Sequence, residues 1–355
     1  MKYVINNFLI TICVMLICTV ALFAASDKQT GTGGASELLI PVGARSTALS
    51  GASIACVSGI DAMYWNPAGT SLLNSQAEAV ISYNSYLADI NVSYVAAVSN
   101  MGSVGNVGLS VKSLNFGDII ETTWDSPDGT GSVFSPNYLT VTLHYSRKFT
   151  DRIAFGINTK IISEKIMSAS ATGYGFDFGL QYINETGLKL GFVLSNFGSS
   201  MKFAGPDLEQ RIQLSNTESG STPSSVAIPA ASFDLPTQLK IGASYDIAIN
   251  EQNSVTVMGT FVNNSKALNQ YIGGLEYTFN KMVFLRGAYS VALKEGTDGE
   301  DSKFVSSDEY YLWGPSFGGG VKLGIKDGMT VQFDYAYQLT EYFDNVQWFS
   351  FVFGM

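Results

Sequence analysis

The stretch YGFDFGLQY, residues 174–182, alternates large apolar side chains with small or polar ones. One face would carry Tyr174, Phe176, Phe178, Leu180 and Tyr182, and the other Gly175, Asp177, Gly179 and Gln181. A period of two is that of a β-strand with one apolar and one polar face. The same alternation recurs in YLTVTLHYS (138–146), QLKIGASYDI (238–247) and VQFDYAYQL (331–339), so strands of this kind dominate the chain.

Fourteen segments with this pattern can be counted along the chain. Several reach about ten residues or more, the length that a tilted strand needs to cross a bilayer. An even count is typical of bacterial outer-membrane barrels. The predicted spans are 78–84, 90–98, 105–117, 134–149, 152–166, 172–183, 188–198, 235–248, 254–263, 270–279, 282–293, 315–326, 329–339 and 345–355.

The lengths of the connections test this interpretation independently. The long connections, 118–133, 199–234 and 294–314, follow the third, seventh and eleventh segments, whereas every connection after an even-numbered segment is short. Outer-membrane barrels have short periplasmic turns and long external loops, while the loops of a soluble β-sandwich need not follow this parity. The sequence therefore predicts an all-β fold, a 14-stranded antiparallel transmembrane β-barrel over residues 77–355.

The N-terminus and the composition predict the compartment. An apolar run from Phe8 to Ala25 ends in small residues, which is typical of a secretory signal peptide, here 1–24. A permanent membrane anchor is the alternative, since the run approaches spanning length. Cys56 is the only cysteine after this peptide, so no disulfide framework is expected. An exported chain with 46% hydrophobic residues and no other long apolar run is expected in the bacterial outer membrane, in contact with its lipid.

Charge narrows the range of partners. The net charge of −10 argues against binding to nucleic acid. Acidic residues concentrate in two predicted external loops, 118–133 and 294–313. We interpret them as solvated surface, with calcium binding or bridging to surface polysaccharide as the alternative. The stretch DSPDGTGS from Asp125 lacks the full spacing of a calcium loop, and no metal or cofactor is predicted.

Residues 25–76 precede the first strand and show no alternation of their own. They are rich in small residues that could thread a barrel lumen, so we expect an N-terminal plug, or hatch; a periplasmic lid is the alternative. GIDAMYWNPAGTSLL (59–73) should be an extended aromatic segment that turns into a short helix, since Asn66 suits an N-cap and Pro67 the first helical position. The predicted hatch motif, near the periplasmic end, is Trp65, Asn66, Pro67, Ala68 and Gly69.

The inward faces predicted for the strands carry charges of both signs. Buried charges need partners, so these residues favour an ion-paired wall that holds a plug. The predicted lumen-facing charges are Lys160, Asp177, Lys240, Asp246, Glu276, Arg286, Lys322 and Asp334. His144, the one histidine, should also face the lumen as a hydrogen-bonded residue; no nucleophile with a base and an orienting partner is evident, so no catalytic residue is predicted.

The stretch PVGARSTALSGASIACVSGIDAMYWNPAGTSLL (41–73) resembles the N-terminal signature of the PorV/PorQ family, which is similar in fold to the FadL-type fatty-acid transporters. The resemblance rests on Gly43-Ala44-Arg45, Gly51-Ala52 and the run from Asp61 to Gly69. It implies a fourteen-stranded barrel with an N-terminal hatch that contains the Asn-Pro-Ala turn. The C-terminus, Gly354-Met355, departs from the aromatic end of many outer-membrane barrels.

The same resemblance implies two functions, neither of them enzymatic. One is an accessory role in type IX secretion, with secreted cargo proteins and components of the secretion system as partners. The other is FadL-like transport of a hydrophobic small molecule across the outer membrane. The mixed charges of the predicted lumen favour the first.

The short turns yield a prediction of register. Apolar outward residues should pair with each other across a hairpin. This predicts odd-membered turns that pair Phe149 with Ile153, Phe279 with Val283 and Ile325 with Val331, with a three-residue loop at 327–329 in the last. In the last turn Gly328 should be left-handed, and the competing two-residue Asp-Gly turn would pair Lys326 with Met329.

Overall fold

A computed structural model describes the chain except for its N-terminus and parts of three connections. The predicted signal peptide (1–24) and the first part of the predicted hatch (25–32) lie outside the described residues, as do parts of the predicted loops 199–234 and 294–314. The described ranges are 33–73, 75–212, 224–294, 302–306 and 311–355.

Fourteen long strands form the barrel, and the predicted count is confirmed. Their ends differ from the predicted spans by at most three residues. The strands are β1 (Ala77–Ser85), β2 (Asn91–Asn100), β3 (Asn106–Asn115), β4 (Asn137–Lys148), β5 (Ile153–Ile166), β6 (Ala169–Ile183), β7 (Leu188–Gly198), β8 (Gln238–Ala248), β9 (Asn253–Asn264), β10 (Asn269–Phe279), β11 (Val283–Lys294), β12 (Trp313–Gly324), β13 (Thr330–Thr340) and β14 (Val346–Gly354).

Every strand pairs antiparallel with its neighbours in the chain, and β14 closes the sheet on β1. At the seam Val80 lies opposite Val352, and Ala77 exchanges backbone hydrogen bonds with Met355. Closure leaves no free strand edge, which is the condition for a sheet to cross lipid. Among the described segments, no helix is long and apolar enough to span a bilayer.

The two faces of the wall differ in polarity. On β6, Tyr174 and Leu180 point outward and are 56% and 44% exposed, whereas Asp177 and Gln181 point inward and are 2% and 1% exposed. The alternation read from the sequence therefore separates an apolar outer surface from a polar lumen.

The long connections lie at one end of the barrel and the short turns at the other, as the parity of the predicted loops required. Within the described parts, two long loops form small two-stranded pieces, in which Ile119–Ile120 pairs with Val133–Phe134 and Met201–Lys202 pairs with Ser232–Phe233. We call the end with the long loops external and the other end periplasmic.

The three turns named in the register prediction each contain three residues. Phe149 donates its N–H to the Ile153 carbonyl, and Phe279 pairs with Val283, as predicted. In the last turn, Ile325 instead donates to the Met329 carbonyl at 2.7 Å. The competing pair of Lys326 with Met329 is therefore absent, but the predicted pairing with Val331 is also wrong.

The predicted pairing of Ile325 with Val331 was wrong because two registers satisfy the same rule. Leu323, not Ile325, lies opposite Val331, and either register keeps apolar residues together on the outer face. The rule that outward residues pair with each other therefore predicts that the loop has an odd number of residues, but it does not predict at which residue the loop begins. Gly328, with φ +81°, occupies the left-handed position as expected, whereas in the turn after β10 the left-handed residues are Asn280 and Lys281.

Residues 33–73, called the hatch from here on, run as a chain of short helical turns. Asn66 is extended, with φ −151° and ψ 102°, because it precedes a proline. The predicted extended conformation of Met63 to Trp65 is wrong, since that constraint acts on one residue only. The turns are α1 (Ala44–Thr47), α2 (Ala62–Trp65) and the 3₁₀ segments Ser36–Leu39, Ala52–Ala55 and Pro67–Leu72.

Small residues let the hatch pack closely against the wall. Ala44, Ala48 and Ala52 are fully buried. Ala48 packs in a cluster with Trp348 of β14, while Ala52 packs with Met258 of β9 on another side of the lumen. The hatch therefore contacts inward faces on different sides of the barrel.

The polarity of the outer face can be tested on one strand. Leu143 lies near the middle of β4 and points outward, 58% exposed. Leu143→Arg should destabilise the barrel by about 2–4 kcal/mol, because an arginine at mid-membrane depth loses its hydration. Urea unfolding in lipid vesicles measures the effect. Phe149→Arg, on the same face but at the turn, is the matched control and should cost about 0–1 kcal/mol; equal costs would contradict this placement of the membrane.

The hatch and the lumen wall

Asn66 ties the hatch to the wall. Its side-chain amide donates to the Ile54 carbonyl within the hatch at 2.8 Å and to the Leu180 carbonyl of β6 at 3.1 Å. Its Oδ1 accepts from the Ala68 N–H at 3.2 Å, so Asn66 is also the N-cap of the 3₁₀ segment that begins at Pro67. One buried side chain thus satisfies three backbone groups.

Two glycines of the wall form the seat of this turn. A Cβ added to Gly156 of β5 would overlap the Pro67 carbonyl group, and one added to Gly179 of β6 would overlap the Asn66 side chain. Both glycines lie near the periplasmic ends of their strands. The Asn66-Pro67 turn therefore sits where only glycine lets backbone and backbone approach.

The neighbouring aromatic residues face the other way. The Trp65 indole donates to the Val42 carbonyl at 3.0 Å, and the Tyr64 hydroxyl donates to the Ile40 carbonyl at 2.8 Å. Both rings line a cavity that opens toward the external side. Ala68 and Gly69 are buried, so the predicted motif has Trp65 at this cavity and its Asn66-Pro67 turn on the two glycines.

A buried polar chain links the hatch to β4, β5 and β6. Thr70 Oγ1 lies 2.6 Å from His144 Nε2, and His144 Nδ1 lies 2.7 Å from Asn158 Oδ1. Asn158 Nδ2 donates to Asp177 Oδ2 at 2.9 Å, and the same oxygen is 2.8 Å from Lys160 Nζ. His144 therefore has a hydrogen-bond partner on each ring nitrogen, and one of them belongs to the hatch.

A bulge in β7 completes this cluster. The register shifts between Phe176 and Phe178 of β6, opposite a left-handed Asn196 with φ +57°. The Asn196 N–H donates to Asp177 Oδ1 at 2.8 Å, and its own Oδ1 accepts from Lys160 Nζ at 2.8 Å. The sequence analysis missed Asn196, because strict alternation contains no bulge; the tolerance of asparagine for the left-handed region is the only local signal.

Three more of the predicted charges meet in a second cluster. Arg286 donates through Nε to Glu276 and through Nη1 to Asp334, each at 2.6 Å. Arg45 of the hatch lies 3.6 Å from the same Glu276 carboxylate. The Arg286 and Asp334 side chains are completely buried, so this pairing fastens the hatch to β10, β11 and β13.

The remaining three predicted charges lie apart from these clusters. Lys240 Nζ is 5.8 Å from the centre of the Trp65 ring. Asp246 forms an ion pair with Lys189 at 2.7 Å near the periplasmic rim. Lys322 lines a small cavity of about 70 Å³ together with Asp61 of the hatch. The eight predicted residues therefore do not form one network.

A further polar contact was not predicted. Lys112 of β3 donates to the backbone carbonyls of Glu37 and Ile40 in the hatch, at 2.6 Å each. Burial raises the pKa of the Glu37 carboxyl, which faces Glu164 of β5. The inward parity of β3 and β5 could have identified Lys112 and Glu164 in the sequence.

The contacts of the turn rank two substitutions. Asn66→Ala removes the cap and both amide bonds, and should cost about 0.5–2 kcal/mol for the cap alone. Pro67→Ala loses mainly a restraint on the unfolded chain, about 0.4–1 kcal/mol. The temperature at which the barrel changes from its folded to its unfolded mobility in gels should therefore fall more for Asn66→Ala than for Pro67→Ala. Equal or reversed effects would contradict the role assigned to the amide.

The glycine seat permits a sharper test. Gly156→Ala should displace the Asn66-Pro67 turn, because the added methyl group overlaps backbone rather than a flexible side chain. We expect faster proteolysis of the hatch and higher ion conductance in planar bilayers. Gly273→Ala is the matched control, since a Cβ at this strand glycine meets nothing within 4 Å. Wild-type conductance and proteolysis in Gly156→Ala would contradict the seat.

Comparisons with known proteins agree with this architecture. The family model described as "Type IX secretion system protein PorV" matches residues 23–216. No curated protein sequence matches the chain.

Solved structures share the fold at low sequence identity. The CymD monoaromatic hydrocarbon channel aligns with a TM-score of 0.54 and 13% identity over 89% of this chain and 97% of its own. The Pseudomonas putida toluene transporter TodX gives 0.53 and 11% over 86% and 96%. A Pseudomonas aeruginosa FadL homologue gives 0.51 and 12% over 88% and 98%.

The family match covers more than half of the chain, and the structural likenesses establish the fold. The closed barrel with an apolar outer face places the molecule in the bacterial outer membrane. The chain therefore belongs to the PorV family of type IX secretion system proteins and has a FadL-like, 14-stranded outer-membrane β-barrel.

Proposed function

We propose that this protein is a plugged accessory barrel of type IX secretion, which receives exported cargo proteins and assists their attachment at the cell surface. The family match over residues 23–216 is the observation that carries the proposal. Its partners are then secreted cargo and other components of the secretion system. We assign it no catalytic step.

The attachment of the hatch supports a barrel that does not conduct. The Arg45–Glu276 ion pair and the chain from Thr70 to Lys160 join the hatch to several strands. Moving the hatch aside would leave Arg286 and Asp334 beside an open channel and would break these buried contacts, each costly to lose. A closed lumen with a functional external surface fits this arrangement better than a tunnel.

The second candidate is FadL-like passage of a hydrophobic small molecule. Two observations favour it: the fold shared with proteins described as hydrocarbon and toluene channels, and a cavity of about 410 Å³ on the external side of the hatch. Passage through the lumen would require the hatch to move.

A disulfide that locks the hatch separates the two candidates. Ser50 Oγ of the hatch lies 2.7 Å from Ser316 Oγ of β12, so Ser50→Cys with Ser316→Cys, in a Cys56→Ser background, should crosslink the hatch to the wall. In a strain that lacks the native gene, we expect the locked barrel to restore surface display of secreted proteins. Surface proteins and uptake of a labelled fatty acid are measured side by side.

The controls are the single Ser50→Cys variant and the double variant kept reduced. If the strain that lacks the gene displays surface proteins normally but no longer takes up the fatty acid, the secretion role is rejected in favour of transport. If surface display is lost only in the oxidised double variant, the hatch must move for display, and the proposal of a hatch that stays attached to the wall is rejected.

A further inference from the structure

The external cavity lies between the hatch and the outer ends of the strands. Trp65 and Tyr64 form part of its floor, and Lys240, Gln270, Gln338 and Trp313 line its sides. Its volume of about 410 Å³ is within the usual range of small-molecule sites, about 300–1,000 Å³. The cavity opens toward the side of the membrane that carries the long loops.

Its aromatic walls are fixed in place. Hydrogen bonds of Trp65 to Val42 and of Tyr64 to Ile40 hold the two floor rings. On the side, the Trp313 ring lies 5.9 Å from the ring of Tyr86, which also lines the cavity. Rigid rings offer flat apolar surfaces at little cost in conformational entropy.

Three polar side chains of the cavity are available to a ligand. Within the described part of the chain, the side chains of Gln270 and Gln338 form no hydrogen bond, and Lys240 forms no ion pair with a carboxylate. Lys240 is also the only charged residue among the described residues that line the cavity. A negative charge that enters would therefore meet one ammonium group and no described carboxylate in the wall.

This combination disfavours a ligand that has no polar group of its own. Such a ligand would strip water from two amides and an ammonium group without replacing their hydrogen bonds, which is costly. A sugar ring offers C–H faces to aromatic rings and hydroxyl groups to amides, and a carboxylate on the ring would pair with the lysine.

We propose that the external cavity binds a sugar residue that carries a carboxylate, such as a uronic acid at the end of an acidic glycan. The rings of Trp313 and Trp65 supply apolar contact surface, Gln270 and Gln338 bind hydroxyl groups, and Lys240 binds the carboxylate. This site goes beyond the proposed secretion role, and its test on the purified barrel does not depend on secretion.

The test compares three probes that differ in one group: galacturonic acid, its methyl ester and galactose. Saturation-transfer NMR on the full-length protein in detergent detects weak binding, and titration gives the dissociation constants. We expect galacturonic acid to bind about tenfold or more tightly than the two neutral sugars, because only its carboxylate pairs with Lys240.

Two variants at one position then test the lysine. Lys240→Gln should reduce the affinity for galacturonic acid to that of the ester, and Lys240→Arg should retain the preference. Lys189→Gln, which removes a lysine paired with Asp246 outside the cavity, is the control and should bind as the wild type. Heat-dependent gel mobility verifies that each variant is folded.

Three outcomes would overturn the proposal. They are the absence of binding by any of the sugars to the folded wild type, equal affinity for all three, and a preference for the acid that survives in Lys240→Gln. Tighter binding of laurate, unaffected by Lys240→Gln, would instead identify an apolar ligand and reject the sugar site.

Discussion

A sheet that crosses a bilayer must satisfy its backbone hydrogen bonds within the chain, and the rest of this structure depends on that constraint. Pairing of β14 with β1 meets it by removing both edges. Closure also forces each strand to present one face to lipid and one to the lumen. A barrel of fourteen strands encloses more space than the side chains of its own wall can fill, so the lumen must hold water, a ligand or another part of the chain.

The hatch occupies that space with little side-chain bulk. Its alanines pack directly on inward residues, and its Asn66-Pro67 turn rests on wall glycines at 156 and 179. Because helical turns this short leave many backbone groups without partners, the wall supplies donors and acceptors from its side chains. Lys112 donating to two hatch carbonyls is an example. The polar side chains of the lumen therefore form hydrogen bonds with the backbone of the hatch as well as ion pairs with each other.

The contacts between the hatch and the wall differ between the two ends of the lumen. On the periplasmic side, Asn66 and Thr70 are bonded to their surroundings and leave little free volume. On the external side, Trp65 and Tyr64 line a cavity together with Gln270, Gln338 and Lys240. The motif from Trp65 to Gly69 therefore contacts both the external cavity and the periplasmic part of the wall.

Much of the fold follows from sequence alone. Alternation with a period of two requires a face for lipid and a face for the lumen, so the strand count, the parity of the loops and the inward side of Asp177 or Asp334 could be predicted. Asn66 as N-cap and Gly328 in the left-handed region are equally local, since each depends on the backbone of its own turn.

Only the tertiary structure decided which groups meet. The contact of Asp177 with Asn196 depends on a bulge, whereas the pairs of Asp177 with Lys160 and of Asp246 with Lys189 depend on the register of neighbouring strands. The last turn shows the same limit, because two registers bury the same apolar face and parity cannot choose between them. Sequence periodicity fixes the direction in which a side chain points. The partner it finds across the lumen depends on strand register and on the path of the hatch, which are set by packing between residues far apart in the chain.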